Sequence, residues 1–169
     1  MGEAMTHERD RHRPFNSALE TGLRSVSLLV AAYPRSFDLQ RLVTFDHLVV
    51  HTGDVGGPTS LHAAVPMRTA ELLVRRGLVE RGLLMMVSNG LVSRHVDDSG
   101  IVFAAGDFAE TFLSSLTSDY IRILVDRAAW VVREFGDLPD ADLKDRVGEY
   151  FEQWIEQFQA PQKSLAGEQ

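Results

Sequence analysis

The sequence predicts a mainly α-helical protein with a small β-hairpin, organised as a winged helix-turn-helix core with additional N- and C-terminal helices. Three observations lead to this prediction. Apolar residues recur at helical spacing in several segments. A glycine separates two of these segments, as in the turn of a helix-turn-helix motif. Two alternating, β-rich segments follow directly, where a wing would lie.

The N-terminal region divides into a tail and a first helix. Residues 1–14 are polar and charged, which predicts a disordered tail. Ser17 followed by Glu20 is a capping-box pattern and predicts the start of the first helix. Pro34 ends this helix, because proline disfavours helical backbone at the residue before it.

A second helix and an unusual loop follow. The helix is predicted from Ser36 or Asp38 to about His51, and it is apolar on more than one side, which is typical of a buried helix. The segment His51–His62 contains three glycines and a proline. Such a segment predicts a loop, since these residues interrupt regular structure.

The next two segments are predicted to form the helix-turn-helix motif. One helix covers residues 67–76 and is preceded by Pro66, and another covers residues 78–89. Gly77 separates them as the predicted turn. Asn89-Gly90 ends the second helix with a C-cap pattern.

A β-hairpin is predicted directly after the motif. Leu91–Val96 and Ile101–Ala105 alternate and are rich in β-formers, and residues 97–100 between them have turn composition. This hairpin is the predicted wing.

Two helices follow the predicted wing. A short helix is predicted from Asp107 to Leu116, with Asp107 as its cap, and a longer one from Ser118 or Asp119 to Phe135. Residues 15–136 then form the predicted core.

The C-terminal region is predicted to form an acidic amphipathic helix over residues 137–159, followed by a disordered tail, 160–169. Of the net charge of −7, residues 137–158 carry −5, from seven acidic and two basic side chains. One face of this helix is a stripe of apolar and aromatic residues: Leu143, Val147, Tyr150, Phe151, Trp154, Ile155 and Phe158. The stripe either packs on the protein's own core or anchors a partner.

Composition excludes several functional classes. The chain has no cysteine, which excludes disulfides, cysteine zinc sites, iron–sulfur clusters and a cysteine nucleophile. No apolar run approaches the roughly 18 residues of a membrane span, and no signal peptide is recognisable at the N-terminus. We therefore expect a soluble, cytoplasmic protein without membrane contact.

No motif predicts catalysis. His51, Asp54 and His62 are potential metal ligands, but a Gly-Gly-Pro segment between them is poorly suited to hold a site in shape. The glycine-rich Gly53–Pro58 stretch follows a helix and lacks the Gly-Lys-Ser/Thr of a phosphate loop. No Gly-x-Ser-x-Gly elbow occurs either. We expect no enzyme activity, no cofactor and no metal.

The sequence gives weak support to direct DNA binding. The second helix of the predicted motif carries one cation, Arg81, beside Glu80, and the predicted wing tip carries Asp97 and Asp98. Proteins that bind nucleic acid by themselves usually show a basic surplus. If the chain does bind DNA, the residues expected to do so are Arg75, Arg76, Arg81 and Arg94.

Four stretches resemble a known bacterial family: Phe15–Arg24, Ala32–Leu42, His51–His62, and Arg68–Arg76 with the Gly-Leu-Val-Glu-Arg-Gly-Leu that follows. Together they are similar to the middle-component subunits of ABC-ATPase three-component systems. These are phage-defence operons of the Lamassu-like kind, in which an ABC or SMC-like ATPase is paired with a middle component and an effector. The resemblance extends from about Phe15 to Phe135.

The resemblance implies a non-catalytic winged-helix adaptor that couples the ATPase to the effector, with possible DNA contact through the complex and a possible homodimer. The residues implied in partner binding are Asp54, Gly56, Gly57, Pro58, Ser60, His62, Arg68, Glu71, Arg75 and Arg76. Two plainer interpretations stay open: the loop is a connector, and Glu71 with Arg75 is a helical ion pair. The alternative function is a winged-helix transcription regulator that forms a homodimer through its terminal helices.

Overall fold

The structure, a computed structural model, describes residues 17–63 and 69–150, with the backbone alone for 69–73. The predictions for residues 1–14, for 151–159 and for the tail 160–169 lie outside this part. The elements, in chain order, are α1 Ala18–Ala32, β1 Phe37–Asp38, α2 Leu39–Val50, a 3-10 helix Thr52–Val55, α3 Thr69–Ser88, β2 Val92–Asp97, β3 Gly100–Ala105, α4 Ala109–Ser115, α5 Asp119–Phe135, and α6, helical over 140–150.

The described part is mainly helical with a small antiparallel sheet, as predicted. The sheet has three strands in the order β1–β3–β2, so the predicted hairpin gains a third strand. β1 pairs Phe37 with Phe103 and Asp38 with Val102. β1 could not be predicted, because two residues are too few to show strand periodicity.

Three helix starts are capped by short polar side chains. Ser17 accepts a hydrogen bond from the Glu20 amide at 3.2 Å, and Ser118 accepts one from the Ile121 amide at 3.2 Å, which confirms both predicted caps. Asp38 caps α2 in the same way. The predicted cap of α4 is wrong: this helix begins at Ala109 after Phe108, and no side chain caps it.

The prediction of two helices separated at Gly77 is wrong. α3 is one helix from Thr69 to Ser88 and continues through Gly77, whose φ is not positive. A glycine inside a helix costs about 1 kcal/mol relative to alanine. Burial of Val79, Leu83 and Met86 on one face of α3 outweighs that cost. Residues 69–88 therefore form one helix in place of the two predicted ones, with no turn at Gly77.

Two glycines allow α1 and α3 to pack closely. A Cβ on Gly82 would lie 2.7 Å from the Gly22 amide nitrogen and 2.8 Å from the Ala18 carbonyl oxygen. A Cβ on Gly22 would lie 2.6 Å from the end of Met86. The backbones therefore approach more closely at this crossing than side chains would permit.

α6 packs on the core. Leu143 and Val147 are buried among the core residues, and Tyr150 packs against them. This confirms the packing interpretation for the described part of the apolar stripe. Trp130 of α5 is partly buried against the same core. Within residues 17–63 and 69–150, no helix is both long and apolar enough to cross a membrane.

Candidate functional site

The structure describes residues 51–63 of the loop between α2 and α3. Hydrogen bonds within this segment stabilise its conformation. The Thr52 hydroxyl donates to the Pro58 carbonyl at 2.8 Å, and the Gly53 amide donates to the Ser60 hydroxyl at 2.9 Å. Gly56 has φ +78°, a left-handed conformation that favours glycine. The loop therefore has a defined conformation built by its glycines and hydroxyls.

Three contacts connect the same loop to α5. Gly57 lies against the Trp130 ring, where an added Cβ would come within 2.5 Å of a ring carbon. The Arg127 side chain donates to the Thr59 carbonyl at 3.1 Å, and the His62 ring lies 3.3 Å from the Tyr120 hydroxyl. These contacts fix the position of the loop relative to the helical core.

An ionic cluster lies between α1, α2 and α3. Asp46 is fully buried and receives hydrogen bonds from the Arg24 guanidinium, with Nε 2.6 Å from Oδ1. Arg75 donates to the other carboxylate oxygen, Oδ2, at 2.5 Å. A buried carboxylate needs such partners, since an uncompensated charge is costly to remove from water. The cluster therefore connects the three helices.

Three histidines line the space between this cluster and the loop. The His47 and His51 rings lie 4.6 Å apart, and those of His51 and His62 lie 6.2 Å apart. Burial lowers the pKa of His47 to about 2 and the pKa values of His51 and His62 to about 4, and the Arg75 guanidinium adds to each shift. All three rings are therefore neutral near pH 7.

The potential metal ligands of the loop are not arranged around a common point. The His51 ring nitrogen Nδ1 lies 3.9 Å from the Asp54 carboxylate, too far for a hydrogen bond, and Asp54 is exposed. In the described ranges, no three His, Asp or Glu side chains are close enough to hold a metal ion together.

The predicted partner-binding residues fall into two groups. Asp54, Gly56, Gly57, Pro58, Ser60 and His62 all lie in the loop, and of these Asp54 and Gly56 are exposed while the others are partly buried. In the second group, Arg75 is engaged with Asp46 and Arg76 is exposed on α3, where it donates to Gln40. Arg68 and the Glu71 side chain lie outside the described part.

The structure shows no contact that joins the residues expected to bind DNA into one basic patch. Arg81 is exposed on α3, and Arg94 is exposed on β2. Arg75 has 79% of its side chain removed from solvent, and its charge faces Asp46.

The exposed side of α3 carries three apolar residues beside polar ones, which are Arg76, Glu80, Arg81 and Ser88. Val74, Leu84 and Met85 are exposed, with Val74 at 64% and Leu84 at 51%. Arg81 lies on the same face, seven residues after Val74 and four before Met85. We call this set of four residues the outward face of α3. An apolar helix face in solvent is typical of a protein-binding surface.

The ionic cluster could not be predicted from sequence patterns, because its members are far apart in the chain. Arg24 and Asp46 are 22 residues apart, and Asp46 and Arg75 are 29 residues apart. Asp46 gave one usable signal, since it is an acidic residue within a helix that is apolar on more than one side.

The comparisons with known proteins place the chain in a family. A model of the family described as "ABC-three component (ABC-3C) system Middle Component 2" matches residues 14–157, which include the whole of the described part. No curated protein and no solved structure matches the chain. The resemblance of the four sequence stretches to middle components is thereby confirmed, and the chain belongs to the Middle Component 2 family of ABC-three component systems.

Proposed function

We propose that this protein is a non-enzymatic adaptor that couples an ABC- or SMC-type ATPase to an effector in an anti-phage defence complex. Membership of the Middle Component 2 family supports a role as one subunit of a multicomponent system. The charges of Arg24, Asp46 and Arg75 are paired with one another, and burial keeps the His51 and His62 rings neutral near pH 7. They support a rigid scaffold better than a catalytic centre.

We further propose that α1, β1, α2, α3, β2 and β3 form a winged helix. Their order is α1, β1, α2, α3, β2, β3, with the strands arranged as β1–β3–β2. In this arrangement α2 and α3, joined by the loop, take the place of the helix-turn-helix pair. α3 then stands where a recognition helix would stand, and β2 with β3 forms the wing.

The outward face of α3 is the observation that carries the adaptor proposal. A recognition helix that reads DNA presents Arg, Lys, Asn, Gln or Ser to the base edges. This face presents Val74, Leu84 and Met85 around the single cation Arg81. Covering these apolar side chains with a protein surface removes them from water, whereas a DNA groove offers few apolar contacts. We therefore propose that this face docks on the partner ATPase.

The test is co-purification of the system's ATPase with tagged variants expressed together with the neighbouring subunits. Leu84→Glu places a charge in the centre of the proposed interface and is expected to abolish recovery of the ATPase. Ile123→Glu is the matched control, because Ile123 is also an exposed apolar helical residue, at 40%, on α5. Full recovery of the ATPase with the Leu84 variant would overturn the assignment of this face.

A second candidate function is that of a winged-helix DNA-binding regulator. Exposed cations on α3 and on the β2–β3 hairpin favour it. Arg76 and Arg81 are exposed on α3, and Arg94 is exposed on the hairpin. A salt-sensitive shift of a specific DNA fragment by the protein alone, weakened by Arg81→Ala, would support this function. The absence of such binding would leave the adaptor.

A further inference from the structure

A cleft of about 550 Å³ lies between α2 and α6. Its walls include Thr44 and His47 of α2 and Leu143 and Val147 of α6, and most of the lining atoms are apolar. Sites for small molecules have volumes of about 300–1,000 Å³ and a similar composition, with apolar walls and a few polar groups. None of the four residues of the outward face of α3 lines the cleft, so it is distinct from the proposed docking surface.

Arg41 fixes one end of the cleft. Its guanidinium donates to the Gly136 carbonyl at 3.2 Å and to the Leu138 carbonyl at 2.5 Å, both in the connection between α5 and α6. It also donates to the Asp140 carboxylate, at the start of α6, at 2.7 Å. A guanidinium presents its donors in a rigid fork, so these bonds hold the start of α6 at a defined distance from α2. The cleft is therefore preformed at this end.

Lys144 is a cation of the cleft without an ionic partner in the described part of the chain. The acids that line the cleft, Asp38 and Asp140, both accept hydrogen bonds from Arg41, the first from its amide at 2.8 Å and the second from its guanidinium. Asp140 lies four residues before Lys144, where a helical ion-pair partner would lie. Gly148 lies four residues after it and has no side chain. The Lys144 ammonium is therefore available to an anionic ligand.

Gly148 leaves the α6 wall of the cleft open. Its backbone is helical, and a Cβ added to it would have no atom within 4 Å. Glycine is a poor helix former, so helix stability favours almost any other residue at this position. At Gly57 and Gly82, by contrast, a Cβ would lie 2.5 Å and 2.7 Å from its nearest neighbours. Packing against the described residues therefore does not require glycine at position 148, whereas a larger side chain there would occupy the cleft.

We propose that this cleft binds a small organic anion, with an apolar body between α2 and α6 and a single anionic group at the Lys144 ammonium. The apolar body contacts Leu143 and Val147 and leaves water on binding, which favours association. The His47 ring is neutral near pH 7, so it adds a polar group to the wall without a second charge. Ligands with several phosphates would need several cations, and Lys144 is the one cation of the cleft that no carboxylate in the described part engages. The proposed class is therefore the monoanions, such as carboxylates and sulfonates with an apolar body.

Two fluorescent probes test the site on the full-length chain. Anilinonaphthalene sulfonate has an aromatic body and one sulfonate, and it binds apolar protein surfaces. Phenylnaphthylamine has the same body without the sulfonate and serves as the matched neutral probe. Fluorescence titration is expected to show saturable binding of the sulfonate with a dissociation constant of about 10–100 μM, since the cleft is open on one side.

Lys144→Gln tests the anionic contact. It is expected to weaken binding of the sulfonate about two- to fivefold, the range of one exposed charge pair, and to leave the affinity for the neutral probe unchanged. Arg133→Gln is the matched control, because it removes the same charge from an exposed position on α5. This control is expected to change the affinity for neither probe.

Gly148→Leu tests the position of the apolar body. Leucine is a good helix former, and its side chain would occupy the space beside α6 where the ligand is proposed to lie. Binding of both probes is expected to weaken at least about tenfold, since filling a site causes overlap with its ligand. Glu149→Leu places the same side chain at the adjacent, exposed position of α6 and is expected to retain binding. Far-ultraviolet circular dichroism checks that each variant is folded.

The outcomes separate this inference from the proposed function. Absence of saturable binding of the sulfonate would overturn the site, and so would equal affinities for wild type and the folded Gly148 variant. Binding that is lost in Leu84→Glu but kept in Gly148→Leu would place the probe on the outward face of α3 and would also overturn it. The adaptor role depends on that face of α3 and would be unaffected by the loss of the cleft site.

Discussion

Alanine at two glycines of α3 should change stability in opposite directions. Gly77 lies within the helix, and a Cβ there would meet only the end of the Arg81 side chain, at 3.4 Å. Gly77→Ala should therefore stabilise the protein by about 0.5–1 kcal/mol, the helix-propensity difference between the two residues. Gly82→Ala gains the same propensity, but its Cβ would lie 2.7 Å from a backbone nitrogen of α1. Such overpacking costs about 1–3 kcal/mol, so this variant should be less stable than wild type.

Urea unfolding followed by far-ultraviolet circular dichroism measures both changes in the free energy of unfolding. Equal m-values for the two variants and wild type would show that the same surface is exposed on unfolding. The expected separation between the two alanine variants is about 1–3 kcal/mol, because the propensity gain is common to both and only the overpacking cost separates them. If Gly77 instead occupied a turn with a left-handed backbone, alanine would destabilise the protein there. Destabilisation by Gly77→Ala would thus refute a continuous α3.

Three further substitutions test the ionic cluster and the loop. Asp46→Asn should lower the free energy of unfolding by about 3–5 kcal/mol in chemical denaturation, since two guanidinium groups lose their carboxylate; a change below about 1 kcal/mol would contradict this. Burial lowers the pKa of His51 to about 4 from an ordinary 6.5, so the unfolded chain binds more protons between these values and stability falls as the pH drops below 6.5. His51→Asn should reduce this fall between about pH 7.5 and about pH 5, and an unchanged pH dependence would count against the buried neutral ring. Gly57→Ala should destabilise by about 1–3 kcal/mol because its Cβ meets Trp130, whereas Gly148→Ala, with no atom within 4 Å, should not, and equal effects in thermal unfolding would argue against this packing.

Local patterns in the sequence predicted the features that depend on neighbouring residues. Ser17 and Ser118 cap their helices because a hydroxyl reaches an amide three residues later, and this requires no tertiary information. The β-hairpin was found for the same reason, from alternation and a turn. Family membership followed from linear motifs and was confirmed over residues 14–157.

Features that depend on distant residues could not be predicted in this way. Glycine is common in turns, and Gly77 was therefore predicted to form one. Packing of α3 on α1 instead keeps the helix continuous at this residue. The cluster of Arg24, Asp46 and Arg75 joins residues from three helices and has no linear motif. The apolar residues of α3 suggested a covered helix, yet only the structure distinguishes the buried face from the exposed one.

Site-specific photo-cross-linking from α3 in the native host tests the adaptor account most directly. A photoreactive phenylalanine analogue at position 84 would lie on the outward face, and the same analogue at position 123 serves as the control on α5. Mass spectrometry then identifies the cross-linked molecules. The account predicts that position 84, and not position 123, cross-links to the ABC-type ATPase of the system. Cross-links from position 84 to DNA alone, or to no molecule while the ATPase still co-purifies, would contradict it.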